Sequence, residues 1–255
     1  MSRGCIKRLF SKAIVVVEIK TKRKRVKFAS DNVTGACPEV LDAILKTNDE
    51  DRAPYGNDEL SKNLQKKFSE IFEKEVIVFP TASGTAANAL ALSTMTPSFG
   101  NIYCHRLSHI NVDECGAPEF YTGGAKLVNL DGINGKIIPE ELDDSISGKG
   151  IVHHTQPSSV SITQLCETGV AYQLDEIKKI SEVAHKHKLH IHMDGARFAN
   201  ALVSLNCSPA EMTWKSGIDV LSFGATKNGC FAAEAIIFFN QDLVGNLPFL
   251  MKRAG

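Results

Sequence analysis

Three short segments, each placed where a predicted strand ends, carry residue types from which a catalytic site could be built. In the first, residues 79–88, an apolar strand runs into a turn of Ser83, Gly84 and Thr85 that opens a helix. The free N–H groups of a helix N-terminus lie at the positive end of the helix dipole, so this turn can bind a phosphate. The simpler alternative is an ordinary serine or threonine helix cap, and this segment alone favours that alternative.

The second segment, residues 190–197, is an apolar strand that ends in Asp194, Gly195, Ala196 and Arg197. A carboxylate at the end of a buried strand is costly unless it is paired. A protonated pyridine nitrogen is one suitable partner, because an aspartate beside it keeps the ring protonated and makes it a better electron sink. Asp194 could instead cap a helix that begins near Arg197.

The third segment, residues 221–229, is a strand followed by a turn of small residues that contains a single lysine, Lys227. We expect Lys227 to reach the same edge of the sheet as Asp194. A desolvated amine near other cations has a lowered pKa and becomes a nucleophile that can form a Schiff base. One lysine in a loop, taken alone, is more often a solvated surface charge.

Neither the histidines nor the cysteines follow a metal-binding spacing. Four histidines near Asp194 suggest zinc, but they straddle a helix end and a strand, so we expect no metal site. The seven cysteines include no Cys-x-x-Cys pair, and we expect scattered, reduced, mostly buried thiols, which indicates a reducing compartment such as the cytoplasm. The four histidines are His185, His187, His190 and His192.

Strands and helices alternate along the chain. Helices are predicted from Ala86 onward and over residues 174–187, and Pro80 is predicted to end the first strand. This alternation indicates a mostly parallel sheet covered on both faces, with ligands bound where the strands end. The predicted strands are residues 76–79, the surroundings of Ile102, and residues 126–130, 151–153, 189–193, 219–223 and 235–239.

Charge is distributed unevenly over the 255 residues. Residues 1–27 carry ten of the 29 Lys and Arg and one acid, Glu18, so the remainder has 19 basic and 28 acidic residues. A body with this negative balance does not suit nucleic-acid binding, and no apolar run is long enough to span a membrane. We interpret residues 1–27 as a basic, disordered extension; an organelle transit peptide is the alternative.

The order of the three segments is more informative than any one of them. A phosphate turn, a strand ending in Asp-Gly-Ala-Arg and a strand ending in Thr-Lys match the large α/β class of pyridoxal-phosphate enzymes. Within that class, the chain resembles the threonine aldolase family from about Lys27 to Gly255. The segments that carry the resemblance are residues 30–34, 55–58, 83–88, 108–117, 192–197 and 222–229.

The resemblance implies a role for each matching position around the cofactor, pyridoxal 5'-phosphate. Lys227 would carry the cofactor, and Asp194 would pair with its ring nitrogen. The phosphate would be held by Ser83, Gly84 and Thr85.

Other positions are implied to act on the ring or the substrate. His109 would stack on the ring and take part in proton transfer. Arg197 would bind the substrate carboxylate, for which its planar fork is suited, and Ser30 would assist. Tyr55 would lie near the phosphate of a neighbouring subunit, because these sites are shared in dimers or tetramers.

The resemblance also implies the fold and the reaction. Residues 28–255 would form a fold type I large domain with a mostly parallel seven-stranded sheet, and the C-terminal small domain would be largely missing. The reaction would be retro-aldol cleavage of threonine or allo-threonine to glycine and an aldehyde. Another lyase or aminotransferase reaction on the same scaffold, or an inactive truncated chain, stays open as an alternative.

Overall fold

The computed structural model describes residues 29–48 and 51–255. The chain divides into two compact units, Met1–Asp31 and Asn32–Gly255. The predicted basic extension over residues 1–27 lies outside the described residues, and the predicted division at residue 28 stays a prediction.

A seven-stranded sheet forms the centre of the second unit, with strand order β1-β9-β8-β7-β6-β2-β3. The five strands from β8 to β3 run parallel, whereas β9 pairs antiparallel with both β8 and β1 and is the one reversed strand of this sheet. The predicted mostly parallel seven-stranded sheet is therefore confirmed. Its strands are β1 Ile77–Thr81, β2 Gly100–His105, β3 Lys126–Leu130, β6 Gln156–Thr163, β7 His190–Gly195, β8 Val220–Gly224 and β9 Glu234–Phe238, and β4 Gly132–Ile133 and β5 Lys136–Ile137 form a separate hairpin.

Helices cover both faces of this sheet, as the alternating pattern predicts. The described ranges also contain four 3-10 helices, Asp31–Val33, Trp214–Ser216, Thr226–Asn228 and Gln241–Leu243. The α-helices are α1 Pro38–Thr47, α2 Glu59–Ile71, α3 Gly84–Met95, α4 His109–Val112, α5 Ala117–Thr122, α6 Pro139–Ser145, α7 Leu174–Lys186, α8 Phe198–Leu205, α9 Pro209–Met212 and α10 Leu247–Ala254.

Helix α7 shows how the sequence determines these elements. A capping box between Gln173 and Glu176 satisfies free N–H groups where the helix begins. Ile177, Ile180 and Ala184 recur at helical spacing and are fully buried in the core. The helix predicted over residues 174–187 is confirmed.

Helix α3 lies deeper, against β8 and β9 on one side and α5 on another. Small alanines allow this close approach, and nearly the whole helix is buried. Because α3 is fixed between the sheet and α5, its N-terminal turn is held at the end of the strands.

Two predicted strand boundaries are wrong. Residues 151–153 form an exposed turn, and the strand is Gln156–Thr163 instead. Serines at alternate positions in β6 bond to neighbouring side chains, so a buried strand looks polar in the sequence; Ser159, for example, pairs with Thr96 at 2.7 Å. Pro80 does not end β1, which continues to Thr81, because β1 is an edge strand that tolerates a residue without an N–H.

The remaining predicted strands, near Ile102 and over residues 126–130, 189–193, 219–223 and 235–239, are confirmed to within two residues. Between residues 29 and 48 and after residue 50, no helix has the length and apolar character that crossing a bilayer needs.

The six cysteines in the described ranges are free thiols, but only Cys104 and Cys166 are buried. The expectation of mostly buried thiols is therefore wrong, since the others lie in loops or at helix ends.

Candidate active site

A cavity of about 470 Å³ opens where β7 and β8 end and α3 begins. It brings together most of the residues that the sequence singled out, although these are distant along the chain. The predicted site residues that line it are Ser83, Gly84, Thr85, His109, Asp194 and Lys227, and they are joined by Asn32, Thr34, Gly35, Ala82, Asn88, Glu114, Ala196, Thr226, Cys230, Phe231, Ala232 and Glu234.

The turn before α3 is both a helix cap and an open anion site. Ser83 Oγ accepts a hydrogen bond from Ala86 N at 3.2 Å, so the capping interpretation is confirmed. Gly84 is the first helical residue, and a Cβ placed on it would meet nothing closer than Glu234 Oε2 at 3.8 Å. The space above the N-terminus of α3 is therefore free for a ligand, and the helix dipole favours an anionic one.

Asp194 lies at the end of β7, beside Ser222 of β8, and is only 3% exposed. Its Oδ2 accepts from Asn88 Nδ2 and its Oδ1 accepts from Ala196 N, both at 3.0 Å. The helix-cap alternative is wrong, because α8 begins at Phe198 with Arg197 as the capping residue. A buried carboxylate that has two neutral donors among the described residues and faces a cavity suits a cationic ligand group.

Lys227 lies in the 3-10 helix Thr226–Asn228 directly after β8 and is half-buried. Glu234, at the start of β9, faces this helix and accepts hydrogen bonds from the backbone and hydroxyl of Thr226. Burial raises the pKa of Glu234, and the Asp194 carboxylate raises it further, against the effect of those hydrogen bonds. Sequence reasoning missed Glu234, which looks like an ordinary strand-end acid.

His109 is held by a second missed residue. Its Nδ1 donates to Glu114 Oε1 at 2.9 Å, and the Glu114 side chain is fully buried while 30% of the His109 side chain is exposed. This hydrogen bond raises the pKa of His109, whereas burial raises the pKa of Glu114. The only sequence signal for Glu114 is an acid five residues after a histidine.

Asn88 is the third missed residue and links the two carboxylates. Its Nδ2 donates to Glu114 Oε1 at 2.8 Å as well as to Asp194 Oδ2 at 3.0 Å. Its Oδ1 is buried and finds no hydrogen-bond partner among the described residues. A polar side chain on the buried face of an alanine-rich helix was the signal that could have identified it.

Two predicted site residues of the second unit, Arg197 and Tyr55, do not line this cavity. Arg197 Nη1 lies 3.5 Å from Glu167 Oε1, in an ion pair within the chain. Tyr55 is 85% exposed, with Lys252 Nζ 5.1 Å from its ring centre. Ser30 belongs to the first compact unit, so its predicted role at the site stays a prediction.

The four histidines that suggested zinc interact with serine or aspartate side chains instead. His192 is fully buried between Ser161 Oγ at 2.9 Å and Ser222 Oγ at 2.8 Å, and burial lowers its pKa to about 4. His185 and His190 face Asp219, and His187 faces Asp143. Within the described ranges, no group of His, Cys, Asp and Glu could hold a metal ion.

The residues present fit pyridoxal phosphate, the group that the resemblance implies. The α3 N-terminus offers N–H groups and the Ser83 and Thr85 hydroxyls to a phosphate, and Asp194 offers a buried carboxylate to a protonated ring nitrogen. Lys227 opens into the same space. The unpartnered Asn88 Oδ1 and the open turn at Gly84 are features that a bound polar ligand would explain.

Comparisons with known proteins agree with this geometry. Low specificity L-threonine aldolase from Pseudomonas aeruginosa is 43% identical over 228 residues, which cover 89% of this chain and 66% of that protein. The structure of threonine aldolase from Leishmania major has a TM-score of 0.82 at 28% identity and covers 88% of this chain and 65% of that one. This chain thus spans slightly less than two thirds of those relatives. The family model described as beta-eliminating lyase matches residues 27–255, and the chain belongs to this family.

Proposed function

We propose that this chain is the cofactor-binding part of a pyridoxal-phosphate-dependent aldolase. The reaction is cleavage of threonine, allo-threonine or a related β-hydroxy amino acid to glycine and an aldehyde. The observation that carries the proposal is that Lys227, Asp194 and the N-terminus of α3 line one cavity. The names of the relatives from Pseudomonas aeruginosa and Leishmania major support the choice of substrate.

The chain's first task is to hold and orient the cofactor. The α3 N-terminus, with Ser83, Gly84 and Thr85, binds the phosphate, while Lys227 carries the covalent attachment. Asp194 keeps a proton on the ring nitrogen, and Asn88 fixes the Asp194 carboxylate from the side at 3.0 Å. When bound, the cofactor supplies an electron sink for the pair released from the Cα–Cβ bond.

The second task is to move protons at the substrate. His109 keeps Nδ1 on Glu114, so its Nε2 is the ring nitrogen left for the substrate hydroxyl. Loss of the hydroxyl proton lets the Cα–Cβ bond break and the aldehyde leave, and a proton delivered to Cα completes glycine. Holding the breaking bond in one orientation is how the site favours this cleavage over others.

The third task is recognition of the substrate carboxylate, which we assign to Arg197 with help from Ser30. In this structure Arg197 Nη1 lies 3.5 Å from Glu167 Oε1. A substrate carboxylate bound by Arg197 would share the guanidinium with Glu167 or displace it. Charge-assisted bonds from the planar fork lie along its edges, so the bound carboxylate would be held in one orientation.

We further propose a homo-oligomer with shared sites and a location in the cytoplasm. The support for the first is Tyr55, which is 85% exposed and therefore available to the phosphate site of a second copy. The support for the second is the set of free, scattered thiols.

Product analysis with L-threonine, L-allo-threonine and L-serine tests the function. Retro-aldol cleavage of threonine gives glycine and acetaldehyde in equal amounts, and this is the expected result. The family description favours β-elimination as a second candidate, and elimination would give ammonia and 2-oxobutanoate from threonine. Ammonia without glycine would establish the second candidate and overturn the first.

A further inference from the structure

We propose that Glu114 is the positioning residue that orients His109 and keeps a proton on it, and that Asn88 couples this pair to Asp194. This inference deepens the proposed function and rests on it for its meaning in catalysis. The statement about the pair itself rests only on the geometry. The four residues lie on α3, at the start of α4, in the connection between α4 and α5, and on β7.

Orientation is the first part of the inference. The 2.9 Å bond from His109 Nδ1 to Glu114 Oε1 fixes the imidazole, because the Glu114 side chain is fully buried and cannot turn away into water. Glu114 Oε1 also accepts from Asn88 Nδ2 at 2.8 Å, so its own position is fixed by a buried side chain. His109 Nδ1 is therefore held as the protonated nitrogen that donates to Glu114, and Nε2 is the nitrogen left to exchange a proton.

Charge is the second part. The groups that face His109 are the carboxylates of Glu114, Asp194 and Glu167, and all three favour the protonated imidazole. Lys227 and Glu234, of opposite sign, line the same cavity. Burial raises the pKa of Glu114, and Asp194 raises it further, so the interior does not favour two separate carboxylates at this place. The Nδ1 proton that His109 donates to Glu114 Oε1 offsets the cost of burying the Glu114 charge. A second proton taken up at Nε2 is stabilised by the same carboxylates.

Asn88 connects the Glu114–His109 pair to Asp194, the carboxylate that we assign to the cofactor ring nitrogen. Asn88 Nδ2 donates to both Asp194 Oδ2 and Glu114 Oε1. The carboxylate that we assign to the ring nitrogen and the carboxylate that holds His109 are therefore kept at a fixed separation. When Asp194 is neutralised by a cationic partner, its repulsion of Glu114 falls. Binding at Asp194 and proton holding at His109 are thereby linked.

Histidine-ring NMR titration of the cofactor-free chain tests the inference without relying on activity. The chain has eight histidines, and His109→Gln identifies the relevant signal. We expect His109 to titrate above the ordinary histidine value of about 6.5 in wild type and at a clearly lower pH in Glu114→Gln. Glu114→Asp, which keeps the charge, should recover part of the shift.

His185 provides the matched control, since Asp219 raises its pKa as Glu114 does for His109. Glu114→Gln should leave the pKa of His185 unchanged. Asp219→Asn should lower the pKa of His185 and leave the pKa of His109 unchanged. If Glu114→Gln does not fold, the wild-type titration decides, because a His109 that titrates at or below its ordinary value overturns the proposal.

Kinetics of the cofactor-loaded protein separate this inference from the proposed function. We expect Glu114→Gln to lower kcat by roughly tenfold or more, to move the pH limb assigned to His109, and to change KM little. A raised His109 pKa without any glycine production would support the Glu114–His109 pair and overturn the proposed function. Glycine production with an ordinary His109 pKa would support the proposed function and overturn the Glu114–His109 pair.

Discussion

Asn88 Nδ2 lies 3.0 Å from Asp194 Oδ2, although the two residues are 106 positions apart in the chain. This contact joins the helix that presents the phosphate turn to the strand that presents the buried carboxylate. It also explains why a polar residue is tolerated on the buried face of α3, where it is 2% exposed. The two halves of the proposed cofactor site are therefore fixed to each other before any ligand binds.

We expect Asn88→Ala to destabilise the fold by roughly 1–3 kcal/mol, because it removes one hydrogen-bond donor from each of two buried carboxylates, Asp194 and Glu114. Urea unfolding measures this. Asn111→Ala is the control, since Asn111 makes an exposed bond to Arg106 O and its loss should cost no more than about 0.5 kcal/mol. Equal losses in the two variants would show that the Asn88 bridge contributes nothing.

Asp194→Asn should leave the chain folded but reduce aldolase turnover by roughly 10²–10³-fold, because an amide cannot keep a proton on the ring nitrogen. The amide retains a group that accepts from Ala196 N, so circular dichroism and unfolding midpoints should change little. Steady-state glycine release measures the effect. Turnover close to wild type in a folded variant would remove Asp194 from the mechanism.

Gly84→Ala should fold normally yet bind pyridoxal phosphate about tenfold or more weakly, because its methyl group enters only the space assigned to the phosphate. Gly224→Ala is the contrasting variant, since its Cβ would lie 2.7 Å from Ala196 Cα and the backbone would have to shift. Fluorescence titration and thermal unfolding of both variants separate the effects. Unchanged cofactor affinity in Gly84→Ala would place the phosphate elsewhere.

Glu234→Gln should change how stability depends on pH. Burial raises the pKa of Glu234 above its usual value of 4.5, so in wild type this carboxyl lowers stability as the pH rises from 4.5 through the raised pKa. At lower pH the acid is protonated in both states and contributes no such dependence. The variant should therefore gain stability relative to wild type as the pH increases over that window, as urea unfolding across pH would show. Parallel curves for the two proteins would contradict the burial of a charged Glu234.

The order of elements and most strands were predictable because apolar runs and helical spacing report directly on burial. Lys227, Asp194 and the turn at Gly84 were found for a related reason, since each follows an apolar strand. The strand Gln156–Thr163 was misplaced because its serines are satisfied by partners distant in sequence. Glu114 and Glu234 were missed for the same physical reason: an isolated acid has no local pattern, and only the fold shows what it faces.

Arg197 shows the limit of carrying a role across from a resemblance. Its type and position suit a carboxylate, and the structure does place a carboxylate beside it, but the partner is Glu167 of the same chain. A sequence motif does not reveal such a competing partner, because Glu167 lies in a different loop, after β6.

Reductive trapping tests the central claim most directly. The chain is incubated with pyridoxal phosphate, reduced with borohydride and digested, and mass spectrometry locates the pyridoxyl group, with Lys227→Ala as the control. We predict a single dominant adduct on Lys227 that Lys227→Ala abolishes, because this lysine opens into the cavity shared by Asp194 and the α3 N-terminus. An adduct on another lysine, retained at the same level in Lys227→Ala, would contradict the assignment of this cavity as the cofactor site.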